Sequence, residues 1–109
     1  MKHYYINEAN MAYYLIRGNH VFVQETENSA LMVRMTKSAV QIRIEHDGRI
    51  ASADLSTKCD CIALFDQDKK AGILLTPESD YRSFIRGICE SVQALSRREH
   101  MPFLSVNTL

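Results

Sequence analysis

The 109 residues predict an α+β domain: a short N-terminal helix, an antiparallel β-meander of about five to six strands, and a long C-terminal amphipathic helix packed on the sheet. Two stretches carry most of that prediction. In VQIRIEHDGRI, Val40, Ile42 and Ile44 alternate with Gln41, Arg43 and Glu45 and run into Asp47-Gly48, the strongest short hairpin signal a sequence offers. In TPESDYRSFIRGICESVQALSRR, Thr76 suits a helix cap and Pro77 the first helical position. Tyr81, Phe84, Ile85, Ile88, Val92 and Leu95 then recur at the spacing of one helix face. A helix, a run of strands and a second helix make a sheet whose helices lie mainly on one face.

The first element is NEANMAYYLIRG, residues 7–18. Asn7 can cap it, Glu8 suits the positive end of the helix dipole, and Gly18 offers the left-handed stop. Residues 20–25 make a short strand. Upstream of the hairpin, Leu31, Val33 and Met35 alternate with Arg34 and Thr36, and Lys37-Ser38 can turn the chain into the next strand. Residues 30–44 also admit a single helix with Leu31, Met35, Ala39 and Ile42 on one stripe. The β-branched Val33, Val40, Ile42 and Ile44 favour two strands.

Further along, Cys59, Cys61, Ala63 and Phe65 share one face of a predicted strand, with Ile62 and Leu64 on the other, so that strand is covered on both sides. Residues 66–70, DQDKK, form the polar loop of a second hairpin whose return strand is residues 71–75. The final helix is expected over about residues 77–98, with Glu78 and Asp80 in its first turn and Arg97-Arg98 at its negative end. Residues 1–98 read as one domain without repeat or linker. Residues 99–109 read as an apolar tail that docks on the domain itself, on a dimer mate or on a partner, because exposed Met101, Phe103, Leu104 and Val106 would form a patch.

Composition bounds the function. Thirteen basic residues balance thirteen acidic ones, so bulk attraction to nucleic acid or anionic lipid is absent. A chain of this length buries roughly two-thirds of its unfolded surface and needs no disulfide or metal staple. Three cysteines, without a framework of spacings, suit a reducing compartment. No stretch approaches the roughly 18 apolar residues of a membrane span, and MKHYYINEAN lacks the apolar core of a signal peptide, so a cytoplasmic location is expected.

Cys59-Asp60-Cys61 is the first constellation to weigh. A structural zinc site takes four ligands, commonly two Cys-x2-4-Cys pairs, whereas here one Cys-x-Cys stands alone and Cys89 and the histidines at 3, 20, 46 and 100 are scattered. Buried free thiols are the plainer account. Cys89 as a nucleophile is disfavoured because it sits mid-helix near the apolar stripe. Asp66-x-Asp68 begins like a calcium loop, but it lacks the glycine at the sixth position and the glutamate at the twelfth. The four glycines stand singly at 18, 48, 72 and 87, so no phosphate-binding loop exists. No cofactor is expected.

Tyrosine is where the chain departs from a plain globular domain. Tyr4, Tyr5, Tyr13 and Tyr14 crowd the first helix in greater number than its inward face can bury, and tyrosine is enriched in protein interfaces. The expectation is a non-enzymatic module of the inhibitor, immunity, adaptor or chaperone kind, of bacterial or phage type by its size, a homodimer that masks a site on another protein. Tyr4, Tyr5, Tyr13, Tyr14 and Phe103 are its candidate anchors. The alternative is a nucleic-acid-binding regulator that uses Arg34 and Arg43 on an exposed sheet face, although Glu45 and Asp54 interleave with them.

Overall fold

A computed structural model describes residues 3–16, 19–36, 39–56 and 81–105. Eight elements follow in chain order: β1 (Tyr4–Tyr5), α1 (Glu8–Ile16), β2 (Val21–Glu25), β3 (Ser29–Met35), β4 (Ala39–His46), β5 (Arg49–Ser56), α2 (Tyr81–Arg98) and β6 (Phe103–Leu104). The fold is α+β. β2, β3, β4 and β5 form an antiparallel meander in sequence order, while β1 and β6 pair in parallel as a separate two-stranded ribbon. Among the described residues the meander has four strands. The two further predicted strands, residues 59–65 and 71–75, lie outside the described residues, as do Cys59, Cys61 and the 66–70 loop.

Residues 30–44 are two strands, not one helix. The pairing of Met35 with Val40, Val33 with Ile42 and Leu31 with Ile44 puts four β-branched residues and two flexible ones on a common buried face. β-branched side chains lose χ1 freedom in a helix but stand clear of the backbone in a strand, and here the strand wins. Thr36 and Ala39 close the β3–β4 connection with reciprocal bonds, the Ala39 carbonyl accepting from the Thr36 N–H at 2.9 Å and the Ala39 N–H donating to Thr36 Oγ1 at 3.1 Å.

The Asp47-Gly48 turn forms as predicted. His46 faces Arg49 across a two-residue loop, and both loop residues are left-handed, with φ of 49° at Asp47 and 80° at Gly48. Two positive φ values define the type I′ turn, whose twist matches that of the flanking strands.

α1 begins where Asn7 Oδ1 accepts from the Asn10 N–H at 3.0 Å, the side-chain cap read from the sequence. At its other end the Asn19 N–H donates to the Tyr14 carbonyl five residues back. Gly18 lies outside the described residues. α2 buries Ile85, Ile88, Val92 and Leu95 as the stripe requires, half-buries Phe84, and adds Cys89 and Ser96 to the buried face. The Ser96 hydroxyl is satisfied within the helix by donating to the Val92 carbonyl at 2.7 Å. Thr76 and Pro77 lie outside the described residues.

α2 ends in a Schellman motif. The Met101 N–H donates to the Ser96 carbonyl at 2.7 Å, the His100 N–H to the Arg97 carbonyl at 3.3 Å, and His100 takes the left-handed φ of 55° that glycine usually supplies. The Glu99 carbonyl is taken up from outside the helix by Arg49 Nη2 at 2.6 Å, which ties the helix end to the start of β5.

Both helices pack on one face of the meander. Leu31, Val33, Met35, Val40, Ile42 and Ile44 meet Ile85, Ile88, Val92 and Leu95 there, and Met11 and Leu15 of α1 complete the core. Met101 and Phe103 of the tail belong to the same core. The Tyr4 N–H donates to the Pro102 carbonyl and the Ile6 N–H to the Leu104 carbonyl, both at 2.8 Å, so residues 101–105 return to the N-terminal strand of their own chain.

Candidate functional site

α1 carries Met11, Ala12 and Leu15 on its buried face, so Tyr13 and Tyr14 fall on the outer side by the helical period. Tyr13 is 53% exposed and Tyr14 43% exposed, with their rings edge to face at 6.0 Å between centroids. The Tyr14 ring also lies 6.3 Å from Phe22 of β2, which fixes its inner edge against the sheet. Tyr5 alternates with the inward Tyr4 and Ile6 and is 60% exposed.

Gln24 of β2 braces this region. Its Nε2 donates to the Tyr5 carbonyl and its Oε1 accepts from the Asn7 N–H, each at 2.9 Å, so one amide holds β1 and the start of α1 at once. Three exposed aromatic rings thus stand on backbone that is tied down. Such a surface offers large contact area at low cost in side-chain entropy.

Tyr4 and Phe103 are placed differently. Their rings pack 5.9 Å apart, Tyr4 is half-buried, and Phe103 is 0% exposed. The expectation of a partner-facing Phe103 is corrected accordingly: its ring fills the domain's own core, because the parallel ribbon turns it inward above α2.

Arg34 and Arg43 lie on the open face of the sheet, on the neighbouring strands β3 and β4. Arg43 Nη2 is paired with Glu45 Oε1 at 2.8 Å, and Gln41 stands between Arg34 and Asp54 in one cross-strand row. This face is mixed in charge. It also exposes Val23 and Ile50, which strand alternation places outward.

Two further groups carry potential chemistry. Ser29 Oγ lies 2.5 Å from His46 Nδ1, and His46 Nε2 lies 3.2 Å from Asp47 Oδ2. The order hydroxyl, imidazole, carboxylate is that of a nucleophile relay; Ser29 is 5% exposed, and its bond to His46 joins β3 to β4.

The second group is Glu8. It is 1% exposed, and neither carboxylate oxygen has a hydrogen-bond partner. Beside it lies Cys89 of α2, whose thiol is pushed up to about 12, first by burial and second by the Glu8 carboxylate. That thiol is protonated and inert at neutral pH, which matches the reading of Cys89 as core rather than nucleophile.

The inward turn of Glu8 escaped the sequence analysis, although Glu8, Met11, Ala12 and Leu15 follow the i, i+3, i+4, i+7 spacing of one helix face. Among the described residues no three or more of His, Cys, Asp and Glu come together as a metal-binding group, and no helix is long and apolar enough to cross a membrane. Comparison with protein-family models, curated proteins and solved structures finds no match to this chain.

Proposed function

We propose that this chain is a non-enzymatic protein-binding module that masks a site on a partner protein, with Tyr5, Tyr13 and Tyr14 as its anchors. The observation that carries the reading is the exposure of these three rings on backbone braced by Gln24. Tyr4 supports the patch from behind, through its ring contact with Phe103. Homodimerisation through part of this surface and a cytoplasmic setting, suited to a protonated thiol such as Cys89, belong to the same proposal.

The nucleic-acid reading has the exposure of Arg34 and Arg43 in its favour. Against it stand the Arg43–Glu45 pair and Asp54 on the same face. Phosphate recognition needs an excess of cations, and this face lacks one.

Affinity capture of the tagged chain from host lysate separates the two, run at low and high salt with nuclease-treated material in parallel. The expected result is one stoichiometric protein that survives nuclease and salt, with affinity falling by at least about 2 kcal/mol when a true anchor among Tyr5, Tyr13 and Tyr14 becomes alanine. Wild-type affinity with all three replaced would end the anchor assignment. Nucleic acid recovered at low salt and lost at high salt would put the alternative first.

A further inference from the structure

The open face of the sheet has a two-part depression spread over β2, β3 and β4. One part, about 210 Å³, is lined by Val23, Ala30, Met32, Arg43 and Glu45. The other, about 230 Å³, has Glu25, Glu27 and Glu45 on its walls, and Ala30 and Glu45 line both parts.

Strand register explains the arrangement. Val23, Met32 and Arg43 form one cross-strand row, and Glu25, Ala30 and Glu45 form the next row toward the β2–β3 turn. The first row is largely apolar. The second holds an alanine between two glutamates, and its short side chain leaves the floor open between them. Among the described residues Glu25 and Glu45 flank this floor, and the Arg43 guanidinium reaches Glu45 from the neighbouring row.

We infer that this face docks an extended segment of a partner protein in which an apolar side chain is followed, two residues later, by a lysine or arginine. Successive same-face rows of a sheet lie roughly 7 Å apart, which is also the separation of side chains i and i+2 in an extended chain. An apolar side chain over Val23 and Met32 therefore places the next same-side residue between Glu25 and Glu45. A cation there meets opposite charge, whereas an acidic residue or a phosphate meets like charge. The inference rests on the protein-binding reading and adds the chemistry of the partner.

The test is an NMR titration of the full chain with a blocked synthetic peptide of repeating leucine-serine-lysine-serine units, and with its counterpart carrying glutamate for lysine. Shifts centred on Val23, Ala30, Met32 and Glu45 are expected with the lysine peptide alone, weakening as salt is raised. Binding should fall at least about tenfold in a Glu25→Gln, Glu45→Gln double variant, which removes two carboxylates from the proposed cation site. It should fall similarly in Ala30→Leu, which fills the floor from the solvent side, each variant first showing a wild-type-like amide spectrum.

Equal binding of the glutamate peptide, shifts centred elsewhere, no binding, or variants that bind like wild type would each overturn the inference. Capture from lysate with the Ala30→Leu chain keeps the two readings apart. A partner retained at wild-type yield discards this surface and leaves protein binding standing, while capture of no protein by wild type discards the broader reading.

Discussion

Glu8 occupies a position where two requirements conflict. The first turn of α1 favours a negative charge by about 0.3–1 kcal/mol, yet the helical period turns this side chain into the core, where the weak thiol donor of Cys89 is its neighbour. Burial is the larger effect, since a buried polar group that lacks a good hydrogen-bond partner costs about 1–3 kcal/mol. Glu8→Leu is therefore expected to raise the unfolding free energy by about 1–3 kcal/mol, read from denaturant titration. A lowered midpoint would show that the carboxylate stabilises α1.

Its neighbour Cys89 gives a pH signature. The thiol's pKa is raised in the folded state from 9.0 to about 12, so the folded chain holds the proton more tightly. The stability this adds is fully present below pH 9 and is lost as pH rises toward 12. Cys89→Ala should flatten that alkaline slope in thermal melts. Alkylation at neutral pH, followed by peptide mass spectrometry, should leave Cys89 unmodified until the chain is unfolded.

At the scale of elements, three positions show how backbone conformation overrides composition. Gly48 holds a φ of 80°, and an added Cβ there meets nothing within 4 Å, so conformation and not space makes glycine the fit. Gly87 lies inside α2 with equal space around it and no left-handed strain. Alanine should act oppositely at the two: Gly48→Ala destabilises by about 1–2 kcal/mol and Gly87→Ala stabilises by about 0.5–1 kcal/mol. The third position is His100, whose left-handed φ closes the Schellman end of α2. His100→Gly is expected to raise stability by about 1 kcal/mol, and a drop in melting temperature would contradict it. Sequence alone announced the Asp47-Gly48 turn because glycine marks a left-handed residue. It was silent about His100, because histidine there bears no such mark.

For the whole molecule, the decisive feature is the ribbon that joins the two ends of the chain. Phe103 pairs with Tyr4 across it, and its buried ring helps to seat β1, and through Ile6 the start of α1, on α2. Phe103→Ala should cost about 3–5 kcal/mol of stability and speed hydrogen exchange at the Tyr4 and Ile6 amides, which donate into residues 102 and 104. Unchanged stability with lost partner affinity would return Phe103 to the role of a binding anchor. The same docking leaves Tyr5 outside and Tyr4 inside, so the tail decides which tyrosines a partner can meet.

Local pattern in the sequence determined the α+β class, the capped start of α1, the alternation of β3 and β4, their turn into β5 and the inward stripe of α2. Each depends on residues within a few positions of one another, where periodicity and turn chemistry act directly. Tertiary structure alone decided the parallel pairing of residues 4 and 103, the burial of Glu8 beside Cys89, and the two-part depression in which Glu25 and Glu45 meet across Ala30. Those contacts join segments from separate elements. Their free energy arises only once the loops between them close and a common core forms, and no local period in the chain encodes it.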